Sequence, residues 1–387
     1  MTTGPLQGVR ITDFTWVAAG PYATVLLSLM GAEVIKIENP SQVKTLIASH
    51  SLGLNLSKKS ITLDLKSPDD IHACKELIKK SHVVIENFRP GVMDRLGLGY
   101  EDLKKIKPDV ILVSLSGFGQ TGRERDYYSY APIFSAMGGL AQVTGYEDGP
   151  PTELRATLDL TSGHMTTVAV LAALHHWRRT GEGQRVDVAA REVVLGLLGE
   201  QALEYAMNKR VPGRKGNDDT LMAPHDVYKC KGDEEWVSIA VKTDEEWRGF
   251  VKALGSPAWA SEAKYADAYG RWVNRRELDE HVSAWTAQHS HLDIMRLLQE
   301  HGVAAMPSFN SRDVFADPHL KARGFLQELD VETPKGHANR VFFGLPWHIG
   351  GKAATAESPP PVGQHTKEIV EGLLGLPPRK ETAPKKP

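Results

Sequence analysis

Residues 8–38 read "GVRITDFTWVAAGPYATVLLSLMGAEVIKIE", and their order decides the fold class. "GVRITDF" (8–14) is a strand candidate. "GPYATVLLSLMGA" (20–32) follows as a helix with apolar positions on more than one face, and "EVIKIE" (33–38) as a second strand. Outward from this unit the alternation continues. "SITLDL" (60–65), "HVVIENF" (82–88) and "DVILVSLS" (109–116) are further strands. Between them "SPDDIHACKELIKKS" (67–81) starts as helices start, with Ser67 as N-cap, Pro68 at the first helical position and acids in the first turn. This β-α-β alternation predicts an α/β fold, a parallel sheet covered by helices on both faces.

The strongest helix signal is "TSGHMTTVAVLAALHHWRRTGEG" (161–183). Met165, Val168, Ala169 and Ala172 keep helical spacing, basic residues close the last turn and Gly181 stops it. A second long helix is expected through 189–207. The polar, Gly- and Pro-bearing "NKRVPGRKGNDDT" (208–220) reads as a domain boundary. Beyond it "EWVSIAV" (235–241) is a strand, followed by a helical region rich in Trp. Trp236, Trp247, Trp259, Trp272 and Trp285 read as core anchors. Asn274 with Glu277 reads as a capping box, and Leu278, Val282 and Trp285 share one apolar face. From about Ser308 to Pro361 the chain reads as loop, before a short terminal helix in "TKEIVEGLLGL" (366–376) and a disordered tail, 377–387.

With 387 residues, two domains are the default, each able to bury a core. A net charge of −2 gives no general attraction to nucleic acid or to an anionic membrane. Cys74 and Cys230 are the only cysteines and lie far apart, which suits a reducing cytoplasm and argues against a disulfide framework or a structural zinc. The N-terminus lacks the basic and apolar regions of a signal peptide, and no apolar run is long enough to span a bilayer. Neither His289–His291 nor His175–His176 has partners at metal-ligand spacing.

"SLSGFGQTGRERDYY" (114–128) contains a literal G-x-G-x-x-G at Gly117, Gly119 and Gly122. A dinucleotide fingerprint needs those glycines to open a helix on the first strand of its unit. Here charged and aromatic residues follow, then Pro132, with no helical period. The reading is a tight turn leaving a strand, not a nicotinamide site, although ligands do bind outside the carboxyl ends of parallel strands.

One acid stands out. "RATLDLTSG" (155–163) places Asp159 between two leucines, just before the long helix. It fits an acid held by a helix dipole, and equally a partly desolvated carboxylate used as a nucleophile. Residue physics alone does not choose between the two.

At these residues the chain resembles the class III coenzyme A-transferases, the family of the formyl-CoA:oxalate, carnitine and benzylsuccinate enzymes. The similarity runs through 5–40, "KKSITLDLKSP" (58–68), "VVIENFRPGVMDRLGLGYEDL" (83–103), "PDVILVSLSGFGQTG" (108–122), 158–188, 302–325 and "PPPVGQHTKEIVEGLLGL" (359–376), in the family's order. The resemblance implies a Rossmann-like large domain made of 1–210 and a returning segment 326–376, with a smaller α+β domain at 220–325. It implies two subunits interlocked as a homodimer; a heteromer with a related subunit is also known in the family. It implies that Asp159 is the nucleophile, moving CoA from an acyl-CoA donor to a free carboxylic acid through aspartyl anhydride and aspartyl-CoA thioester intermediates. CoA is then a substrate, with no metal and no NAD. By the same similarity Ala18, Ala19, Leu63, Lys66, Asn87, Phe88, Arg89 and Arg95 are CoA-contacting positions, and Gly119, Gln120, Met222, His225 and Tyr228 are substrate candidates.

Two departures bear on the substrate. Asn39 stands where the family often has Arg. "DTLMAPHDVYKC" (219–230) stands where formyl- and acetyl-type enzymes carry a run of glycines, which argues against oxalate and for a larger acceptor, with succinyl-CoA or another medium-sized acyl-CoA as donor. The α-methylacyl-CoA racemases share the fold but need a His-Asp pair ahead of this aspartate, and "RERDYYSYAPIF" (123–134) has no histidine.

Overall fold

A computed structural model describes residues 4–40, 52–154, 157–333 and 336–378. The chain forms two compact units. The large one comprises Met1–Val143, Thr152–Pro212 and Pro318–Pro387, the small one Thr144–Pro151 and Gly213–Asp317. The sequence reading left 144–151 in the large domain and 318–325 in the small one; the contacts reverse both. Most of the expected tail, from residue 379 on, lies outside the described residues.

The large unit is built on six parallel strands: β1 (Arg10–Asp13), β2 (Glu33–Glu38), β3 (Lys59–Thr62), β4 (Val83–Glu86), β5 (Ile111–Ser116) and β6 (Arg185–Ala189). Their order is β3-β2-β1-β4-β5-β6, so the winding reverses between β1 and β4. That reversal opens a crevice at the carboxyl ends of those two strands. Successive side chains of a strand face opposite sides. Val83 and Ile85 accordingly join Val25, Leu26, Val170 and Leu174 in one core layer, while Val84 joins Cys74, Leu77 and Leu103 in the other. Helices α1 (Ala19–Leu29) and α5 (Thr157–Thr180) supply the first layer; α2 (Pro68–Lys79) and α3 (Tyr100–Ile106) supply the second. Strand β6 follows α5 directly and had no clear periodic signature.

Several expectations need correction. The glycine loop after β5 runs without regular structure to Tyr130, and Pro132 lies at the start of α4 (Ala131–Met137) rather than breaking a helix. The helix expected over 189–207 is interrupted: α6 (Ala190–Leu195) passes through a 3-10 turn at Gly196–Leu198 into α7 (Gly199–Asn208), with glycines at the joints. Residues 326–343, read as loop, form an antiparallel pair, β10 (Leu326–Thr333) and β11 (Gly336–Phe343), whose Val331 and Phe342 reach the first core layer.

The small unit has an antiparallel sheet of β7 (His225–Lys229), β8 (Trp236–Ala240) and β9 (Ala304–Pro307). Helices α8 (Asp244–Ala253), α9 (Arg275–Thr286) and α10 (His291–Glu300) cover it. Trp247, Phe250, Tyr265, Leu278 and Val282 fill its core. The Asn274–Glu277 capping box is absent. The Asn274 amide donates instead to the Gly270 carbonyl, 2.8 Å, and Glu277 pairs with Lys264.

Candidate active site

The crevice begins where β1 ends. Asp13 is followed by the turn Thr15–Ala18, and α1 starts at Ala19. No side chain caps this helix, and its third residue, Pro21, has no N–H. The amides of Val17, Ala18, Ala19 and Gly20 find no acceptor among the described residues. A helix start with free N–H groups favours negative charge. Val17 takes φ +66°, the left-handed region that a β-branched residue enters only when its surroundings force it there.

Across the crevice, Asn87 leaves β4 and holds the turn at both main-chain groups of Trp16. Its side-chain oxygen accepts from the Trp16 amide, 2.9 Å, and its amide donates to the Trp16 carbonyl, 2.8 Å. Phe88 packs edge-on against Phe14. Arg89 is exposed. Its guanidinium lies over the Tyr128 ring, 3.8 Å from the centroid, and donates to the Asp126 carbonyl, 2.7 Å.

Helix α5 brings the aspartate. Gly163 presses on the first turn of α1, against the Ala19 carbonyl and Tyr22, and Thr167 reaches the Ala23 carbonyl at 3.4 Å. Four residues along α5 thus match four along α1, so the two helices run in the same direction here. Asp159 is one turn before Gly163 on the same face. The Thr15–Ala18 turn immediately precedes this first turn of α1.

Asp159 was expected on a turn before the helix, but it is the third helical residue. Burial pushes its carboxyl above the ordinary carboxylate range, and it has no hydrogen-bond partner among the described residues. Leu158 is buried beside it. A carboxylate with lost hydration and no replacement donor is a stronger base and nucleophile than one in water.

The other predicted CoA positions also fall at the carboxyl edge of this sheet. Leu63 and Lys66 follow β3, and Gly119 and Gln120 follow β5. Leu63 is fully buried, main chain and side chain alike, and its amide donates to the Glu38 carbonyl at 3.1 Å. Lys66 and Arg95 are exposed; Arg95 lies at the end of the short helix Val92–Arg95, and its charge has no partner among the described residues. Gly119 has φ +81°, and the Gln120 amide donates to the Asp187 carboxylate at 2.9 and 3.0 Å. The Gln120 side-chain nitrogen is buried without a partner. It lies with Arg89, Ser114, Arg185 and Glu86 around a cleft of about 10 Å³, room for one water. Burial pushes Glu86 up to about 7, even though Ser114 and the Phe88 amide donate to it. Sequence reasoning missed Glu86, Trp16, Val17 and Gly163. Of these, only a glycine inside a helical pattern was a visible signal.

The substrate candidates of the small unit are a different matter. Tyr228 is 3% exposed and gives its hydroxyl to Asp279 at 2.5 Å, so it stands in the core of the small unit. His225 is tied through Nδ1 to the Asn217 carbonyl, 2.7 Å, and Met222 is half-buried. The small unit's cavity, about 440 Å³, is lined by Tyr146, Lys215, Asp218, Asp226 and Arg276 among others, and by none of these three. Among the described residues no cluster of three or more His, Cys, Asp or Glu is placed to hold a metal, and no helix is long and apolar enough to cross a membrane.

Known proteins are similar to this chain along almost its whole length. The chain is 33% identical over 384 residues to a succinyl-CoA–D-citramalate CoA-transferase of Chloroflexus aurantiacus, covering 96% of this chain and 94% of that one. It is 34% identical to a succinyl-CoA:mesaconate CoA-transferase of Haloarcula hispanica, over 95% and 96% of the two chains. The crystal structure of a CAIB/BAIF family protein from Brucella suis superposes with a TM-score of 0.85 at 30% identity, over 97% of this chain and all of that one. The profile of CoA-transferase family III matches residues 6–366. The chain is therefore a member of CoA-transferase family III.

Proposed function

We propose that this enzyme transfers CoA from succinyl-CoA to a small dicarboxylic acid, with Asp159 as the covalent nucleophile. The observation that supports the mechanism is the partly buried Asp159 carboxylate without a hydrogen-bond partner on α5, a helix whose Gly163 packs on the first turn of α1, next to the unpartnered amides of the β1–α1 turn. The succinyl donor and a five-carbon dicarboxylate acceptor follow the relatives named for D-citramalate and mesaconate.

In the first step an Asp159 oxygen attacks the thioester carbonyl. The C–S bond breaks, giving a succinyl–aspartyl anhydride and CoA thiolate. The thiolate attacks the aspartyl carbonyl and expels succinate, leaving an aspartyl-CoA thioester. The acceptor carboxylate attacks that thioester, again forming an anhydride and thiolate. Thiolate attack on the acceptor's carbonyl then releases the new acyl-CoA and restores the Asp159 carboxylate. The steps balance without water or metal, and the thioester bond energy is conserved. Each step passes through an oxyanion, and the amides of Val17–Gly20 are assigned as the donors that stabilise it. Arg89, Arg95 and Lys66 are assigned to the CoA phosphates and diphosphate, with Asn87 and Phe88 shaping the crevice wall. Gly119 and Gln120 are assigned to the acyl end, and Met222 and His225 of the small unit stay as further candidates for acyl contact.

Two copies are proposed to interlock. Helix α7 has no buried residue although Leu203, Tyr205 and Met207 lie on it, and Met165 and Val168 are exposed on α5. Contiguous exposed apolar side chains mark a protein interface. The cytoplasm is the proposed compartment, from the two free, buried cysteines.

Isotope exchange tests the whole reading. Labelled free succinate, mixed with succinyl-CoA and enzyme but no other acid, should enter the thioester pool. Absence of exchange, together with direct hydrolysis of succinyl-CoA, overturns it.

A further inference from the structure

Beneath the β1–α1 turn lies a buried polar cluster that the chemistry above does not use. We propose that Asp13 and Lys58 are positioning residues: they clamp the Thr15–Ala19 turn in the shape that presents its amides to the reacting carbonyl.

Asp13 and Lys58 pair at 3.2 Å, and both side chains are 0% exposed. Each carboxylate oxygen has a separate task. Oδ1 accepts from the Thr15 amide, 2.8 Å, and from the Thr15 hydroxyl, 2.5 Å. Oδ2 accepts from the Thr24 hydroxyl, 2.7 Å, on the second turn of α1. The Lys58 ammonium also donates to the Pro21 carbonyl, 3.1 Å, and contacts the Thr24 hydroxyl at 2.7 Å. A second buried cation, Lys36, donates to the Thr15 carbonyl at 2.8 Å. The turn is thus pinned at Thr15 on one side and at Pro21 and Thr24 on the other, and Asn87 fixes Trp16 between them.

Val17 is the residue that pays for these clamps. Its φ is +66° and it is 39% exposed, so burial does little to offset the strain. A β-branched residue left to itself would leave that region, and the turn would rotate its amides away. The conformation is therefore imposed from below. A buried ion pair is a poor means of stabilising a fold, because apolar residues of the same volume usually serve as well or better. Its presence under a strained turn at the switch point is better explained by the turn.

This inference rests on the proposal that the turn's amides serve the Asp159 chemistry, and the experiment separates the two. Lys58→Met and Asp13→Asn are made alone and together with Val17→Gly, in the full-length enzyme. The readouts are thermal melting, kcat and KM for succinyl-CoA, and the fraction of Asp159 that can be acylated. Misplacing donors without unfolding should lower kcat per acylatable site by about ten- to a hundredfold with KM nearly kept. Val17→Gly should then restore part of that loss in the Lys58→Met background, because glycine adopts the left-handed turn without a clamp. A purely structural role predicts lower melting, unchanged kcat per acylatable site and no rescue, and that result overturns the proposal. If Lys58→Met fails to fold, Thr15→Val serves. It keeps the ion pair and loses the hydroxyl contact, and an unchanged kcat there also overturns the proposal. Asp159→Asn is run beside them. An active Asp159→Asn removes the nucleophile reading whatever the clamp variants do; an inactive one beside a fully active Lys58→Met removes the clamp alone.

Discussion

Gly163 of α5 sits directly on the carbonyl oxygen of Ala19 in α1: an ideal β-carbon at Gly163 would stand 2.7 Å from that oxygen and 2.9 Å from Tyr22 Cδ1. Both neighbours belong to the first turn of α1, and the oxygen is main chain, so neither can swing aside cheaply. Gly163→Ala should therefore reverse the usual helix preference. Alanine in a helix normally stabilises by about 0.5–1 kcal/mol over glycine. Here overpacking should cost about 1–3 kcal/mol instead and push the two helices apart. Because Asp159 lies one turn along, turnover should fall more than stability accounts for. Denaturant melts with kcat on the folded fraction check this; a variant as stable and active as wild type refutes the contact.

Glu86 carries a pH signature. Burial raises its carboxyl from 4.5 to about 7. An acid raised in the folded state destabilises folding above that value, and the penalty disappears below the unfolded value. The native protein should thus lose stability from this group as pH rises from about 4.5 to about 7, and stay level above. Glu86→Gln should be more stable than wild type at pH 8 by about 1–3 kcal/mol, with the difference vanishing near pH 4.5. Urea melts at both pH values decide it. An equal difference at the two places the shift elsewhere.

The sheet was legible because parallel strands buried on both faces, such as "EVIKIE" and "VVIE", are continuous apolar runs between helical periods. β6 was not: Arg185 and Asp187 interrupt "RVDVA", and only pairing with β5 makes it a strand. β10 and β11 were hidden for a related reason. They are largely exposed, with charges spaced along both, so little apolar alternation survives. At the site, Asp159 and Asn87 came through the family resemblance. The Gly163–Ala19 approach, the Val17 strain and the Asp13–Lys58 pair arise between segments far apart in sequence, which no local pattern encodes. Tyr228 was misread because a Tyr on a strand looks alike whether its hydroxyl meets substrate or, as here, Asp279.

Arg89 and Arg95 should govern CoA affinity more than turnover. Both lie beyond β4 at the carboxyl edge of the sheet. Removing one charge-assisted phosphate contact costs about 1.5–3 kcal/mol, or about ten- to a hundredfold in KM for acyl-CoA. Arg89→Ala should have the larger effect, because it also releases Tyr128 and the Asp126 carbonyl. Steady-state kinetics on both variants test this; a collapse of kcat at constant KM would reassign them.

Helix α7 has no buried residue, and the proposed dimer would cover it. Sedimentation at micromolar concentration should give a dimer, and Leu203→Asp with Met207→Asp should leave monomer or unfolded chain. A stable folded monomer of the wild-type chain rejects the interlocked assembly.

Asp159 has two readings, and they separate under substitution. As a helix-dipole partner it would be stabilised by its ionised state. Asp159→Ala would then lose about 0.3–1 kcal/mol, and both variants would keep activity. The structure favours the opposite sign. Burial raises its carboxyl above 3.8, so ionisation opposes folding at neutral pH and the opposition fades as pH falls toward that value. Asp159→Asn should therefore melt no lower than wild type at pH 7 and still bind CoA, yet lose transfer almost completely, since an amide oxygen cannot form the anhydride. A structural acid and a nucleophile also differ covalently. Hydroxylamine added with succinyl-CoA should convert Asp159 of the wild type, and of no other peptide, to a hydroxamate seen by peptide mass spectrometry. The adduct requires an acylated carboxyl, whether anhydride or CoA thioester, so it reports the intermediate itself. An enzyme that transfers CoA but never yields the adduct, with an active asparagine variant beside it, would leave Asp159 as a buried acid at a helix start and send the search for the nucleophile elsewhere in the crevice.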